Sequence, residues 1–146
     1  MTMYLGLDPG FTTGAAWVSS RDHKIIIHDF DEIIWPQFTR WVIQDWEAKM
    51  NQYRQEDENV IVVCEDYIHR KVKEWSPSPV TKQIGFTYCK ALDLGWHFAL
   101  SQPMNKTAGY KLGKIPTTPK HHWGDALAHV YFAIHQGVDP EQKIIW

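Results

Sequence analysis

Tyr4-Leu5-Gly6-Leu7-Asp8-Pro9-Gly10-Phe11-Thr12-Thr13-Gly14 sets a short aliphatic run against an abrupt turn signal, and its reading decides the fold. Residues 3–7 read as a strand, and Asp8-Pro9-Gly10 supplies the residues a β-turn prefers. Two further short runs, 14–19 and 24–30, follow on either side of Ser20-Arg21-Asp22. Together they predict a three-stranded antiparallel meander.

Outward from the meander, residues 35–53 repeat Phe38, Trp41, Val42, Trp46, Lys49, Met50 and Tyr53 at helical spacing, opposite Gln37, Arg40, Gln44 and Glu47. This predicts one amphipathic helix. Val60-Ile61-Val62-Val63-Cys64 shows no alternation, which suits a strand buried on both faces and therefore parallel to its neighbours. Ser78-Pro79 opens a second helix that runs to Leu94 before Gly95, and residues 96–100 form a fifth strand. Residues 102–118, with Pro103, Gly109, Gly113 and Pro116, read as a long loop. Thr118-Pro119 starts a last helix ending near Gln136, with Gly137 as its C′ residue. The expectation is an α/β fold of order βββαβαβα: a mixed five-stranded sheet flanked by helices, in one domain over residues 1–146.

In such sheets ligands collect outside the carboxyl ends of the parallel strands. Asp8 ends the first strand and Glu65 the fourth. A right-handed crossover through the first helix makes those strands parallel neighbours and sets the two carboxylates side by side. Asp125 lies in the first turns of the last helix, with His122 three residues before it and His129 four after it, all on one helix face. Three converging carboxylates repel one another unless a cation sits among them. A hard divalent ion such as Mg²⁺ takes oxygen ligands, and two such ions can activate a water and steady the leaving oxygen in phosphodiester cleavage. Taken singly, each acid also has a plain explanation: Asp8-Pro9-Gly10 is a good turn, and Glu65 and Asp125 suit a solvated surface. Their joint placement at element ends is what points to a site. With eight His in the chain, a histidine near Asp125 is expected by chance, and no cysteine framework suggests zinc.

The formal net charge of −2 conceals a partition along the chain. Residues 1–68 carry five basic and twelve acidic side chains, whereas residues 69–122 carry nine basic and two acidic ones. That basic stretch includes Arg70, Lys71, Lys73, Lys106, Lys111 and Lys114, and it fits either a polyanion-binding face or a lysine-rich solvated surface. Two cysteines outside any Cys-x-x-Cys pair fit a reducing compartment, and no run approaches the roughly 18 apolar residues of a membrane span. The opening residues lack a signal-peptide pattern. These features predict a cytoplasmic protein without a membrane partner.

The opening stretch resembles that of RuvC-type Holliday junction resolvases, which are RNase H-like nucleases. Val60-Ile61-Val62-Val63-Cys64-Glu65 resembles their second acidic strand, and His122-Trp123-Gly124-Asp125-Ala126-Leu127-Ala128-His129 their terminal Asp-Ala helix, in the style of the short phage-encoded branch. The resemblance implies an RNase H-like fold and an endodeoxyribonuclease using Mg²⁺, with Mn²⁺ as a substitute. By the same resemblance, Asp8, Glu65 and Asp125 are metal-binding catalytic acids, with His122 as a fourth member and Lys106 as the lysine that follows the fifth strand. The implied partner is branched DNA, meaning four-way junctions with forks and flaps beside them, cut by a homodimer in the cytoplasm, or the host's cytoplasm for a phage protein. The family carries an aromatic wedge three positions after the second acid. This chain has Ile68 there, with Tyr67 and Trp75 as substitutes, which predicts relaxed junction selectivity. Two other readings remain: a non-catalytic nucleic-acid-binding module on the same scaffold, and a fragment of an actin-like ATPase or sugar kinase, whose fold needs two such domains.

Overall fold

A computed structural model of the chain describes residues 1–66 and 79–137. Its strands are β1 (Thr2–Asp8), β2 (Thr12–Arg21), β3 (Lys24–Ile34), β4 (Asn59–Glu65) and β5 (His97–Ser101). The helices are α1 (Trp35–Gln44), α2 (Trp46–Tyr53), α3 (Pro79–Asp93), α4 (Asn105–Gly113) and α5 (His122–Gln136). The strands form one sheet in the order β3-β2-β1-β4-β5. The meander is antiparallel, while β1–β4 and β4–β5 are parallel, giving the expected mixed sheet.

Strand alternation sends β1 side chains to opposite faces. Met3, Leu5 and Leu7 join Trp17, Val62 and Cys64 under Phe38, Trp41, Trp46, Met50 and Ile84 of the helices. Tyr4, Ala16, Val18, Ile61 and Val63 meet Ala126, Leu127, Val130 and Ala133 of α5 on the other face. Much of the tryptophan content is thereby explained, since Trp46 packs edge-on against Trp41 at 5.7 Å and stacks on Trp96 at 6.0 Å. Part of the acidic first half is neutralised internally: Arg21 pairs with buried Glu58 at 2.6 Å, and Lys49 bridges Asp29 and Asp31.

Three expectations need correction. The helix predicted over 35–53 is two helices broken at Asp45 (φ −103°), where the chain turns to seat both Trp41 and Trp46 in one core. The predicted loop over 102–118 contains α4. Its glycine signal comes from packing, because a Cβ on Gly109 would lie 1.9 Å from the Ala128 carbonyl oxygen where α4 crosses α5. The last helix starts at His122 rather than Pro119. His121 is extended, and the His122 amide donates to Glu32 Oε1 of β3 at 3.0 Å, so a carboxylate from a distant strand caps the helix. Gly137 closes α5 in the left-handed conformation, as expected.

Candidate active site

The β1–β4 register ends with Leu7 opposite Cys64, which places Asp8 and Glu65 next to each other at the carboxyl edge of the sheet. Their carboxyl groups are close enough to shift each other's ionisation. Asp125, in the first turn of α5, arrives from the sheet face and is almost fully buried. Its Oδ1 accepts a 2.6 Å hydrogen bond from the Tyr110 hydroxyl of α4. The three acids therefore come together at one edge of the sheet.

Burial pushes the Asp8 carboxyl far above the usual carboxylate range, and neighbouring Glu65 and Asp125 push it further. Burial also opposes ionisation of Glu65, but His129, Asp8 and Lys106 outweigh it and hold that carboxyl well below its ordinary value. The two carboxyls are thus pushed in opposite directions, Asp8 up and Glu65 down, as expected of acids that share one site. Tyr110 is raised by burial and by its bond to Asp125.

The cation among these acids is Lys106 of α4, whose Nζ stands 3.3 Å from Glu65 Oε1 and 3.6 Å from Asp125 Oδ2. Burial works against its charge, and Glu65 and Asp125 more than restore it. Lys120 approaches Asp125 from the solvent side at 3.9 Å. With Lys106, Tyr110 and His129 each engaging an acid, no group of three His, Cys, Asp or Glu among the described residues is set to grip a metal ion as it stands. The donor types nonetheless suit a hard divalent ion: three carboxylates and no thiolate gather at this edge, and the Lys106 ammonium supplies positive charge where such an ion would.

Asp8, Phe11, Lys106, Lys120, His122 and Asp125 line an open cleft of about 530 Å³. His122 is exposed on its wall. Lys111 and Lys114 are exposed at the far end of α4 and do not line the cleft. Arg70, Lys71, Lys73 and the wedge positions Tyr67, Ile68 and Trp75 lie outside the described residues.

Spacing alone makes His129 a chance neighbour of Asp125, but the fold gives it two partners. His129 is fully buried, with Nδ1 2.7 Å from Ser101 Oγ at the end of β5 and Nε2 3.5 Å from Glu65 Oε1. That Nε2 has no aligned hydrogen-bond partner among the described residues, so its approach to Glu65 is electrostatic. The Asn105 amide also donates to Ser101 Oγ at 3.3 Å, so the hydroxyl beside His129 Nδ1 is itself held in place from α4. The i+4 spacing of His129 from Asp125 was the available signal, but only the position of β5 gives that spacing a meaning.

No family model and no curated protein sequence matches the chain. Solved structures do. A Thermus thermophilus RuvC structure superposes with a TM-score of 0.65 at 16% identity, covering 93% of this chain and 97% of that one. The fowlpox virus Holliday junction resolvase superposes with a TM-score of 0.54 at 12% identity, covering 94% and 100%. Both proteins have also been solved with a Holliday junction, and those complexes match with TM-scores of 0.65 and 0.55. The chain therefore shares the fold of these structures, the mixed five-stranded sheet with flanking helices expected of the sequence. No described helix is long and apolar enough to cross a membrane.

Proposed function

We propose that this chain is a metal-dependent endonuclease that cuts branched DNA, as a single nuclease domain acting in the cytoplasm. The observation that carries the reading is the approach of Asp8, Glu65 and Asp125, from β1, β4 and α5, around Lys106, beside a cleft that Asp8 and Asp125 line together with Lys106 and Lys120. The fold is that of proteins solved with Holliday junctions, which supports branched DNA as the substrate.

In this reading Asp8, Glu65 and Asp125 would hold Mg²⁺, or Mn²⁺ in its place, which would supply Lewis acidity for phosphodiester hydrolysis. The chain's own residues do the rest. Tyr110 fixes one oxygen of Asp125, and His129 stands behind Glu65, so metal binding would draw the acids together from supported positions and displace Lys106 from among them. His122 on the cleft wall orients the attacking water. Lys106 and Lys120 receive the phosphate, while Lys111, Lys114 and the Arg70-Lys71-Lys73 run extend the contact along the DNA backbone. Two paired cuts at a two-fold junction call for a homodimer.

The test is magnesium-dependent nicking of a four-way junction beside linear duplex, Y-fork and flap substrates, with wild type and Asp8→Asn. Wild type is expected to cut the branched substrates, with forks and flaps within about tenfold of the junction, a difference under roughly 1.4 kcal/mol. Asp8→Asn is expected to bind but not cut. A second reading, a non-catalytic nucleic-acid-binding module, draws on Lys106 already pairing with Glu65 and Asp125. Tight binding of branched DNA with no metal-dependent cutting would select it.

A further inference from the structure

Phe11 is 77% exposed, the most exposed large apolar side chain among the described residues. An isolated surface phenylalanine is ordinary. This one stands on a turn that the fold fixes from several sides. The Phe11 carbonyl accepts from the Trp35 amide at the start of α1 at 2.8 Å. The carbonyl of Gly10, one residue earlier, accepts from Gln83 Nε2 at 3.0 Å and from Thr13 Oγ1 at 3.4 Å. Gln83 is almost completely buried on α3, and its amide also reaches Thr13 Oγ1 at 3.2 Å. A buried carboxamide from a separate helix is thus devoted to holding a turn whose one large side chain is left in water.

The position of that side chain gives the arrangement its meaning. Phe11 follows Asp8 by three residues and shares the cleft with Asp8, Asp125, Lys106 and Lys120. The cleft therefore offers cations for a phosphate backbone and one aromatic face, on a pre-set backbone, next to the acids. An unpaired nucleobase is the group that fits both features, because every base has a π-face and carries its phosphate with it.

We propose that Phe11 stacks on an unpaired base beside the phosphate at the acid cluster, and so makes the site select DNA whose strands are already parted. The inference rests on the nuclease reading above and adds the device that chooses the substrate. Duplex DNA offers no free base at that place without unstacking, whereas a branch point, fork or flap does. Phe11 does this from the turn after the first acid, a position separate from Tyr67, Ile68 and Trp75.

The experiment measures binding by the full chain in Ca²⁺, so that the readout does not depend on cutting. Four-way junction, Y-fork and linear duplex carry 2-aminopurine at single positions around the branch, and wild type is compared with Phe11→Ala and Phe11→Trp. Stacking is expected to change the fluorescence at one position near the branch. Phe11→Ala is expected to abolish that signal and to weaken branched-DNA binding by roughly five- to hundredfold, the range for losing one base–aromatic stack. Its affinity for linear duplex is expected to change less than twofold, and Phe11→Trp to restore the signal. Because the side chain is in water, Phe11→Ala is expected to keep the wild-type melting temperature. Branched-DNA binding and fluorescence unaltered in Phe11→Ala overturn the inference, as does an equal loss in both variants. If Asp8→Asn still abolishes cutting in that case, the nuclease reading stands without Phe11. If wild type binds no branched DNA, both fall together.

Discussion

Replacing Gly14 with alanine tests how the site is assembled. Gly14 lies opposite Asp8 in the β1–β2 register, under the first turn of α5. A Cβ there would stand 2.1 Å from the His122 carbonyl oxygen, 2.2 Å from its carbon and 2.6 Å from the Trp123 nitrogen. All three are backbone atoms, so no side-chain rotation relieves the contact. Reaching even a 3.0 Å separation requires the helix start to retreat by about 0.9 Å, and a comfortable contact requires more. Asp125 sits one turn along the same helix and moves with it, away from Asp8 and Glu65. Overpacking of this kind typically destabilises by about 1–3 kcal/mol. A misplacement of about 1 Å at a reacting centre lowers the rate on the order of a hundredfold. Urea unfolding and single-turnover cleavage measure the two effects separately. Gly85→Ala is the control, because its Cβ meets nothing within 4 Å on α3 and should stabilise the helix by about 0.5–1 kcal/mol. Wild-type stability and rate in Gly14→Ala would refute the seating of α5 on β2, and with it the geometry of the acid cluster.

The shifted carboxyl of Asp8 gives a second expectation, with a definite sign. Its folded value of about 9 lies above the ordinary 3.8, so the unfolded chain releases this proton first. The group's contribution to stability is then fully present below pH 3.8 and is lost as pH rises toward 9. Asp8→Asn, which cannot ionise, should raise the metal-free melting temperature by an amount that grows from pH 5 to pH 9, as read by thermal melts in EDTA; a lower melting temperature across that range would make Asp8 a structural residue. Removing the support behind Glu65 is the third test: His129→Ala should weaken Mn²⁺ binding about 10- to 100-fold by calorimetry. His129→Gln, which keeps a side-chain donor, should recover part of that loss, and wild-type affinity in His129→Ala would show that Glu65 stands without help.

Local signals made most of the sheet and two of its acids legible. Asp8 and Glu65 end runs whose strand character is unmistakable, and a parallel pairing of those runs leaves them only one relation. Asp125 needed a further step, the seating of its helix on the sheet. What stayed hidden depended on contacts between distant segments. Glu32 caps a helix ninety residues away, so the sequence near His122 carries no cap of its own and places the helix start too early. Gly109 and Gly113 read as loop residues, although at Gly109 the requirement is room for Ala128. His129 carried the right spacing but no partner until β5 brought Ser101 beneath it. Lys106 is legible from the basic stretch and from the family resemblance, but its pairing with both Glu65 and Asp125 depends on where α4 lies.

The three acids stand at positions 8, 65 and 125, on elements that meet only through long-range pairing. Such contacts form late, after the loops between them have closed. A ribosome-bound chain stopped before α5 would carry β1 and β4 but no Asp125, and so no complete site. Under the proposed nuclease reading, hydrolytic competence would arrive only with the completed tertiary structure, and a nascent copy would lack it. In a refolding experiment, recovery of cutting should follow the slowest phase of the α5-side core and have no faster component, which makes the appearance of activity a clock for the last docking event in the fold.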